Sequence, residues 1–143
     1  MDEMSVEVEA MVYPTEDCGK VLGSINNMAT LQEITEMEIR PGIHIIRGKG
    51  YEKECLTKLR DLIRQDRIRD AARALLCSTI TTNGLQFYLN KQVAFANHVS
   101  FCNIEGESPL GPISVKIKCS NPATMIDWLA SGFQDRADSQ LLL

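Results

Sequence analysis

Two segments far apart in the chain alternate apolar and polar residues with a period of two. Residues 5–13 read Ser-Val-Glu-Val-Glu-Ala-Met-Val-Tyr, and residues 113–119 read Ile-Ser-Val-Lys-Ile-Lys-Cys. Such alternation buries one face of a strand and leaves the other in water, which is typical of antiparallel or mixed sheets. The chain is therefore predicted to build a sheet with one buried face.

The segments between these strands predict further strands and helices. Apolar spacing indicates a first helix from Thr15, as its N-cap, to about Met28. Further strands are expected at residues 31–39, 43–47, 85–90 and 98–102. A last helix begins at Ser120 or Asn121 and is closed by Gly132. We expect Trp128 to anchor this helix in the core.

A long helical stretch is predicted between residues 51 and 80. Its apolar face turns by roughly half a turn between Leu59 and Leu76, at ~100° per residue. One straight helix could not bury both faces against one sheet, so two helices with a break at residues 65–67 are expected. The resulting order, β-α-β-β-α-α-β-β-β-α, predicts an α+β fold with a mixed or antiparallel sheet covered by helices.

The length of 143 residues favours a single α+β domain, over residues 1–132, with a flexible tail at 133–143. No apolar run approaches the ~20 residues of a membrane span, and the acidic N-terminus does not resemble a signal peptide. We therefore expect a cytoplasmic protein. Five widely spaced cysteines without a CxxC pair indicate reduced thiols and no metal site.

Charge is distributed unevenly along the chain. Residues 1–39 hold nine acids and one base, a net charge of −8, whereas residues 47–73 hold nine bases and five acids, a net charge of +4. The overall charge of −4 argues against a uniformly basic nucleic-acid-binding surface. A local basic surface in the middle of the chain remains compatible with RNA.

Four basic residues follow one stripe of the predicted helical stretch, because they are spaced by seven, four and three positions. They are Lys53, Arg60, Arg64 and Arg67. Such a stripe can neutralise phosphates, although Arg67 leaves it if the helix breaks first. The alternative is a solvated face whose charges are balanced by acids such as Asp61 and Asp70.

Arg47-Gly48-Lys49-Gly50 is expected to lie between a strand and a helix. Glycines with unpaired backbone N–H groups at a helix start can hold a phosphate or another anion. The alternative is a plain turn, and the full GxxxxGK[ST] phosphate-loop motif is absent.

Residues 86–92 combine aromatic, amide and cationic side chains, including Tyr88, Asn90 and Lys91. Aromatic rings on an exposed sheet face stack on bases, while amide and cationic groups donate hydrogen bonds to them. The alternative is that one ring packs in the core and the rest form its rim.

No catalytic constellation is evident in the sequence. The acidic residues lack convincing paired spacing, and the two histidines, His44 and His98, lie far apart in sequence. Neither a GxSxG nor an HExxH motif occurs. We therefore predict no catalytic residues, no metal and no cofactor.

Several motifs occur together in an order that resembles a known family. They are VYPTED from Val12, LRDLIR from Leu59, RIRDAAR from Arg67, FYLNKQ from Phe87, SPLGPI from Ser108 and IDWL from Ile126. Together they resemble, over residues 6–131, an archaeal family of small proteins classed as RNA-binding. The resemblance implies the fold of ribosomal protein L-five, an α+β sandwich, and carries no catalytic residues. The sequence departs from the family pattern at Cys18-Gly19.

The leading hypothesis is a non-enzymatic RNA-binding module whose contacts are largely electrostatic. Its candidate contact residues are Lys49, Arg60, Arg64, Arg67, Asn90 and Lys91. One alternative is a protein-interaction or homodimerisation module that uses the acidic strands and the Trp128 helix. Another is an enzyme that binds an anion or nucleotide around residues 48–50.

Overall fold

The computed structural model describes residues 4–102 and 111–130. The strands are β1 (Ser5–Val12), β2 (Glu33–Arg40), β3 (Ile43–Gly50), β4 (Ile80–Thr81), β5 (Gly84–Leu89), β6 (Phe101–Cys102) and β7 (Ile113–Lys118). The helices are α1 (Cys18–Met28), α2 (Thr57–Gln65), α3 (Arg69–Ser78), α4 (Lys91–Phe95) and α5 (Pro122–Leu129). A short 3₁₀ helix, Lys53–Leu56, precedes α2.

The seven strands form one sheet in the order β2-β3-β1-β7-β5-β4, with β6 beside β5. Every described strand pair is antiparallel. This confirms the predicted α+β class and the antiparallel sheet. The two-residue strand β4 was not predicted, and the likeness to ribosomal protein L-five stays a prediction.

The alternating pattern places one face of the sheet against the helices. In β1 the buried residues are Val6, Val8, Ala10 and Val12. They lie beside Ile113, Val115 and Ile117 of β7, which in turn lie beside Leu89, Phe87 and Leu85 of β5. These side chains form one apolar core with the helices. The intervening residues point to the other face, which we call the open face of the sheet.

The predicted start of the first helix was wrong. Helix α1 begins at Cys18, and the Asp17 carboxylate accepts a hydrogen bond from the Gly19 N–H at 2.9 Å. Thr15 instead lies in a turn closed by the Glu16 N–H, which donates to the Tyr13 carbonyl at 2.8 Å. The sequence misled because both Thr and Asp are good N-caps and Thr15 lies only two positions before Asp17.

The break between α2 and α3 is confirmed. Helix α2 ends at Gln65, Arg67 adopts a φ of 58°, and α3 begins at Arg69. A left-handed residue cannot continue a right-handed helix, so the second helix starts with a new direction. The predicted helix stop at Gly132 and the predicted tail at 133–143 lie outside the described residues.

No helix among residues 4–102 and 111–130 is both long and apolar enough to cross a bilayer.

Candidate nucleic-acid interface

Two cationic side chains lie over the ring of a half-buried tryptophan, Trp128, on the helical side of the molecule. The Lys53 Nζ lies 5.6 Å from the centroid of the Trp128 ring, and the Arg60 guanidinium carbon lies 5.1 Å from it. The ring belongs to helix α5. The Asn121 side chain caps the N-terminus of this helix by accepting from the Thr124 N–H at 3.2 Å. The distances are typical of cation–π contacts.

The prediction that Trp128 is a core anchor was wrong. The helix is anchored by its buried residues Met125, Ile126 and Leu129, whereas Trp128 only packs against the edge of the core. Helical spacing placed Trp128 on the same face as Met125. It could not show that α2 approaches close enough to bring Arg60 over the ring.

Among residues 4–102 and 111–130, no carboxylate pairs with either of the two cations above Trp128. Within the described part of the chain, neither Lys53 nor Arg60 forms an ion pair, and the buried Arg60 Nε has no hydrogen-bond partner. Arg64 follows Arg60 by one helical turn on the same face of α2 and is half-buried. We refer to Lys53, Arg60, Arg64 and Trp128 as the Trp128 cluster.

An ion pair fixes the flank of this cluster. The Arg73 Nη2 donates to the Asp127 carboxylate, and its Nη1 donates to the Ala130 carbonyl at 3.3 Å. These bonds tie α3 to α5. They hold Asp127, the residue before Trp128, so the orientation of the ring is set by contacts with two other helices.

The loop after α2 contains a second acid, Asp66, that is held by hydrogen bonds. The Asp66 carboxylate accepts from the Val99 N–H at 2.9 Å and lies 2.9 Å from the His98 Nδ1. Burial alone would raise the pKa of Asp66, but these hydrogen bonds and the His98 charge outweigh it and lower that pKa below its ordinary value. Arg67, which follows in this loop, is exposed and lies beyond the end of α2.

Asn90 and Lys91, both predicted as RNA contacts, form hydrogen bonds within the fold. Lys91 is only 3% exposed, and its Nζ donates to the Met11 carbonyl at 2.7 Å and to the Glu16 carboxylate. The Asn90 side-chain oxygen caps α4 by accepting from the Val93 N–H at 3.0 Å. Glu16 is 75 positions away from Lys91, so the local sequence could not reveal this pair.

Arg47-Gly48-Lys49-Gly50 is not a loop, contrary to the prediction. All four residues belong to β3, where the glycines pair with Val8 and Val6 of β1. A Cβ atom on Gly48 would collide with Leu31, and one on Gly50 with Cys55. The glycines therefore make room for packing side chains above the sheet, not for a phosphate.

Lys49 lies on the opposite side of the molecule from Trp128. It points to the open face with Glu7, whose carboxylate is 3.9 Å from its Nζ, and Arg47 beside it pairs with Glu9 at 2.6 Å. The structure thus brings together Arg60 and Arg64 from the predicted set, places Arg67 just beyond them, and separates the other three. Trp128 was not predicted as a member of this site.

Comparison with known proteins identifies the family of this chain. A family model described as RNA binding matches residues 5–119. A UPF0201 protein of Sulfolobus acidocaldarius is 42% identical over 125 residues, which cover 87% of this chain and 85% of the relative. This chain belongs to the UPF0201 family. The UPF0201 protein of Methanopyrus kandleri is 38% identical over 133 residues, covering 87% and 83% of the two chains.

A solved UPF0201 structure shares the architecture. The crystal structure from Methanococcus jannaschii aligns with a TM-score of 0.75 and 32% identity, and covers 88% of this chain and 92% of that one. The residues matched by the RNA-binding family model include Lys53, Arg60 and Arg64 but end before Trp128. The range matched by the RNA-binding family model therefore holds the sheet and α2, while α5 lies beyond it.

Proposed function

We propose that this UPF0201 protein is a non-enzymatic RNA-binding module that contacts the phosphate backbone through the Trp128 cluster. One observation carries the proposal: Lys53 and Arg60 lie over the Trp128 ring without a carboxylate partner in the described residues. The matching family model described as RNA binding supports it.

The electrostatics of the cluster suit this role. A chain of net charge −4 must concentrate positive potential locally to attract RNA. The aromatic ring holds the cations in place without cancelling their charge, whereas Arg47, Lys49 and Arg73 each lie beside an acid. A phosphate that reaches Lys53 or the Arg60 guanidinium would release counterions and accept charge-assisted hydrogen bonds.

The engagement of the acids and histidines supports a role without catalysis. Glu16 is paired with Lys91, Asp66 with His98, and Glu36 with His44 at 2.9 Å. These groups stabilise the fold in pairs, and each pair joins different elements of the structure.

Titration of structured and single-stranded RNA at several salt concentrations tests the proposal. Replacing Arg60 and Arg64 with Ala should weaken binding to all sequences alike and reduce the salt slope by about one to two units. The matched control is Arg47→Ala/Lys49→Ala, which removes the same charge from the open face, where both residues lie beside glutamates. Binding by the control should equal that of the wild type.

Two results would contradict the proposal. If the wild type binds no RNA at low salt, the proposed function is wrong. If only the Arg47→Ala/Lys49→Ala control loses RNA affinity, the RNA-binding surface is the open face of the sheet and not the helices.

A further inference from the structure

Strand β2 is a long edge of the sheet that no other described segment covers. Its eight residues are all exposed, and in the described residues it pairs only with β3. The opposite end of the sheet is formed by β4, which has two residues. An exposed edge of this length presents a row of backbone N–H and C=O groups to which another strand can pair.

Apolar side chains are concentrated on this edge. Ile34, Met37 and Ile39 are 41%, 51% and 45% exposed, and they make up three of the six exposed large apolar residues in the described chain. Ile34 points to the helical side and Met37 to the open face, so a strand added at this edge would cover apolar surface on both faces of the sheet. The edge can therefore bury apolar surface as well as form backbone hydrogen bonds.

The same strand is acidic on both of its faces. Glu36 and Glu38 lie opposite Ile46 and His44 of β3 and so point to the helical side. Both lie near His44, at 2.9 and 3.9 Å, yet their side chains stay 43% and 56% exposed and open to a basic partner. Glu33 lies opposite Lys49 and points to the open face. Arg40, beyond the register shift that follows Glu38, is the strand's one base.

We propose that β2 is a docking edge for an extended basic segment of a partner protein, which adds to the sheet as another strand. The residues of β2 define the partner's pattern. Lys or Arg should lie opposite Glu38, Glu36 and Glu33, and β-branched residues opposite Met37, Thr35 and Ile34. An antiparallel partner then reads Lys-Val-Lys-Val-Ile-Lys.

A second copy of this chain fits the edge less well. A twofold-symmetric antiparallel pair must place one residue opposite its own copy. Centred on Glu36 or Met37, such a pair sets carboxylates opposite each other, whereas centred on Thr35 it does not. Like charges directly opposite each other destabilise a strand pair. No register, however, gives all three glutamates of β2 a basic partner, because Arg40 is the strand's one base.

The test uses the full chain and a fluorescent peptide that contains Lys-Val-Lys-Val-Ile-Lys. We expect saturable binding by anisotropy and slower hydrogen exchange of the β2 amides. Two control peptides replace the lysines with Glu or the valines with Pro. Both should bind at least about tenfold more weakly, because they lose the charge pairs or the backbone donors.

Matched variants locate the site. Glu36→Lys/Glu38→Lys should weaken the lysine peptide by about tenfold or more. Asp61→Lys/Asp70→Lys, an equal change of charge on exposed residues of α2 and α3, should leave its affinity unchanged. Glu36→Gln/Glu38→Gln should lose less affinity for the lysine peptide than the double lysine variant. Thermal unfolding curves of both variants show whether a loss of affinity comes from misfolding.

The proposal is overturned if the lysine and glutamate peptides bind equally well. The same holds if hydrogen exchange slows only at amides outside β2. It is also overturned if sedimentation equilibrium shows a wild-type dimer that Met37→Lys dissociates, because the second copy would then be the occupant.

Discussion

Lys91 and Glu16 form a buried ion pair in which the lysine Nζ lies 3.1 Å from each carboxylate oxygen. Only 4% of the Lys91 side chain and 9% of the Glu16 side chain are exposed. The pair joins α4 to the turn before α1, and the same ammonium group also binds the Met11 carbonyl at the end of β1. Burial lowers the pKa of Lys91, and the Glu16 carboxylate partly offsets that effect.

We expect Lys91→Met to destabilise the protein by about 3–5 kcal/mol, because it leaves the Glu16 carboxylate buried without its counter-charge. Lys91→Met/Glu16→Gln should recover a large part of this loss, since the amide of Gln remains compatible with the Tyr13 N–H, which donates to Glu16 at 3.0 Å. Urea unfolding of the single and double variants measures the coupling. Additive losses would show that the two residues act independently.

The fold was largely predictable because its strands alternate cleanly. The periodicity of β1 and β7 located the sheet, and the rotated apolar face of residues 51–80 located the break at Arg67. Gly48 and Gly50 were misassigned because glycines usually mark turns. Here they are required by Leu31 and Cys55, which pack over β3 from other parts of the chain.

The candidate site was less predictable than the fold. The basic stripe of α2 could be found from spacing alone, and Arg60 and Arg64 do lie on one helix face. The role of Trp128 depends on contacts between α2 and α5, and the burial of Lys91 depends on a distant glutamate. Such long-range pairings leave no local pattern in the sequence.

Acid should weaken the protein in part through Asp66. Its pKa is lowered in the folded state, so its contribution to stability is present above the unfolded pKa of about 3.9 and is lost as the pH falls through the lower folded value. Asp66→Asn should therefore show a shallower decline of unfolding free energy below about pH 4 than the wild type. Urea unfolding measured from pH 2 to 6 tests this, and equal slopes would refute it.

Gly84 and Gly23 should respond in opposite directions to substitution by Ala. Gly84 has a φ of +153°, and a Cβ there would collide with the Ile117 carbonyl in the paired strand β7. We expect Gly84→Ala to cost more than about 1 kcal/mol. Gly23 lies within α1, where the nearest contact of an added Cβ is Phe95 at 4.0 Å, so Gly23→Ala should stabilise by about 0.5–1 kcal/mol. Thermal unfolding of both variants makes the comparison.

Trp128 and Leu129 are neighbours on α5 that should separate stability from RNA binding. Leu129 is 1% exposed and lies in the core, whereas Trp128 is half-buried beneath Lys53 and Arg60. Leu129→Ala should therefore cost about 2–5 kcal/mol. Trp128→Ala should cost less, because the ring leaves a smaller void when it is removed from the edge of the core.

For RNA affinity, measured under conditions in which both variants are folded, Trp128→Ala should have the larger effect and Leu129→Ala the smaller. Trp128→Ala removes the ring that holds Lys53 and Arg60 in place, so these side chains become more mobile and lose more entropy on meeting a phosphate. We expect its affinity to fall by about two- to fivefold, the change that a cation–π contact of about 0.5–1 kcal/mol corresponds to. Trp128→Phe should fall between Ala and the wild type, and Leu129→Ala should bind as the wild type does. Equal affinity of Trp128→Ala and the wild type would show that the ring contributes packing alone and that Arg60 acts without it.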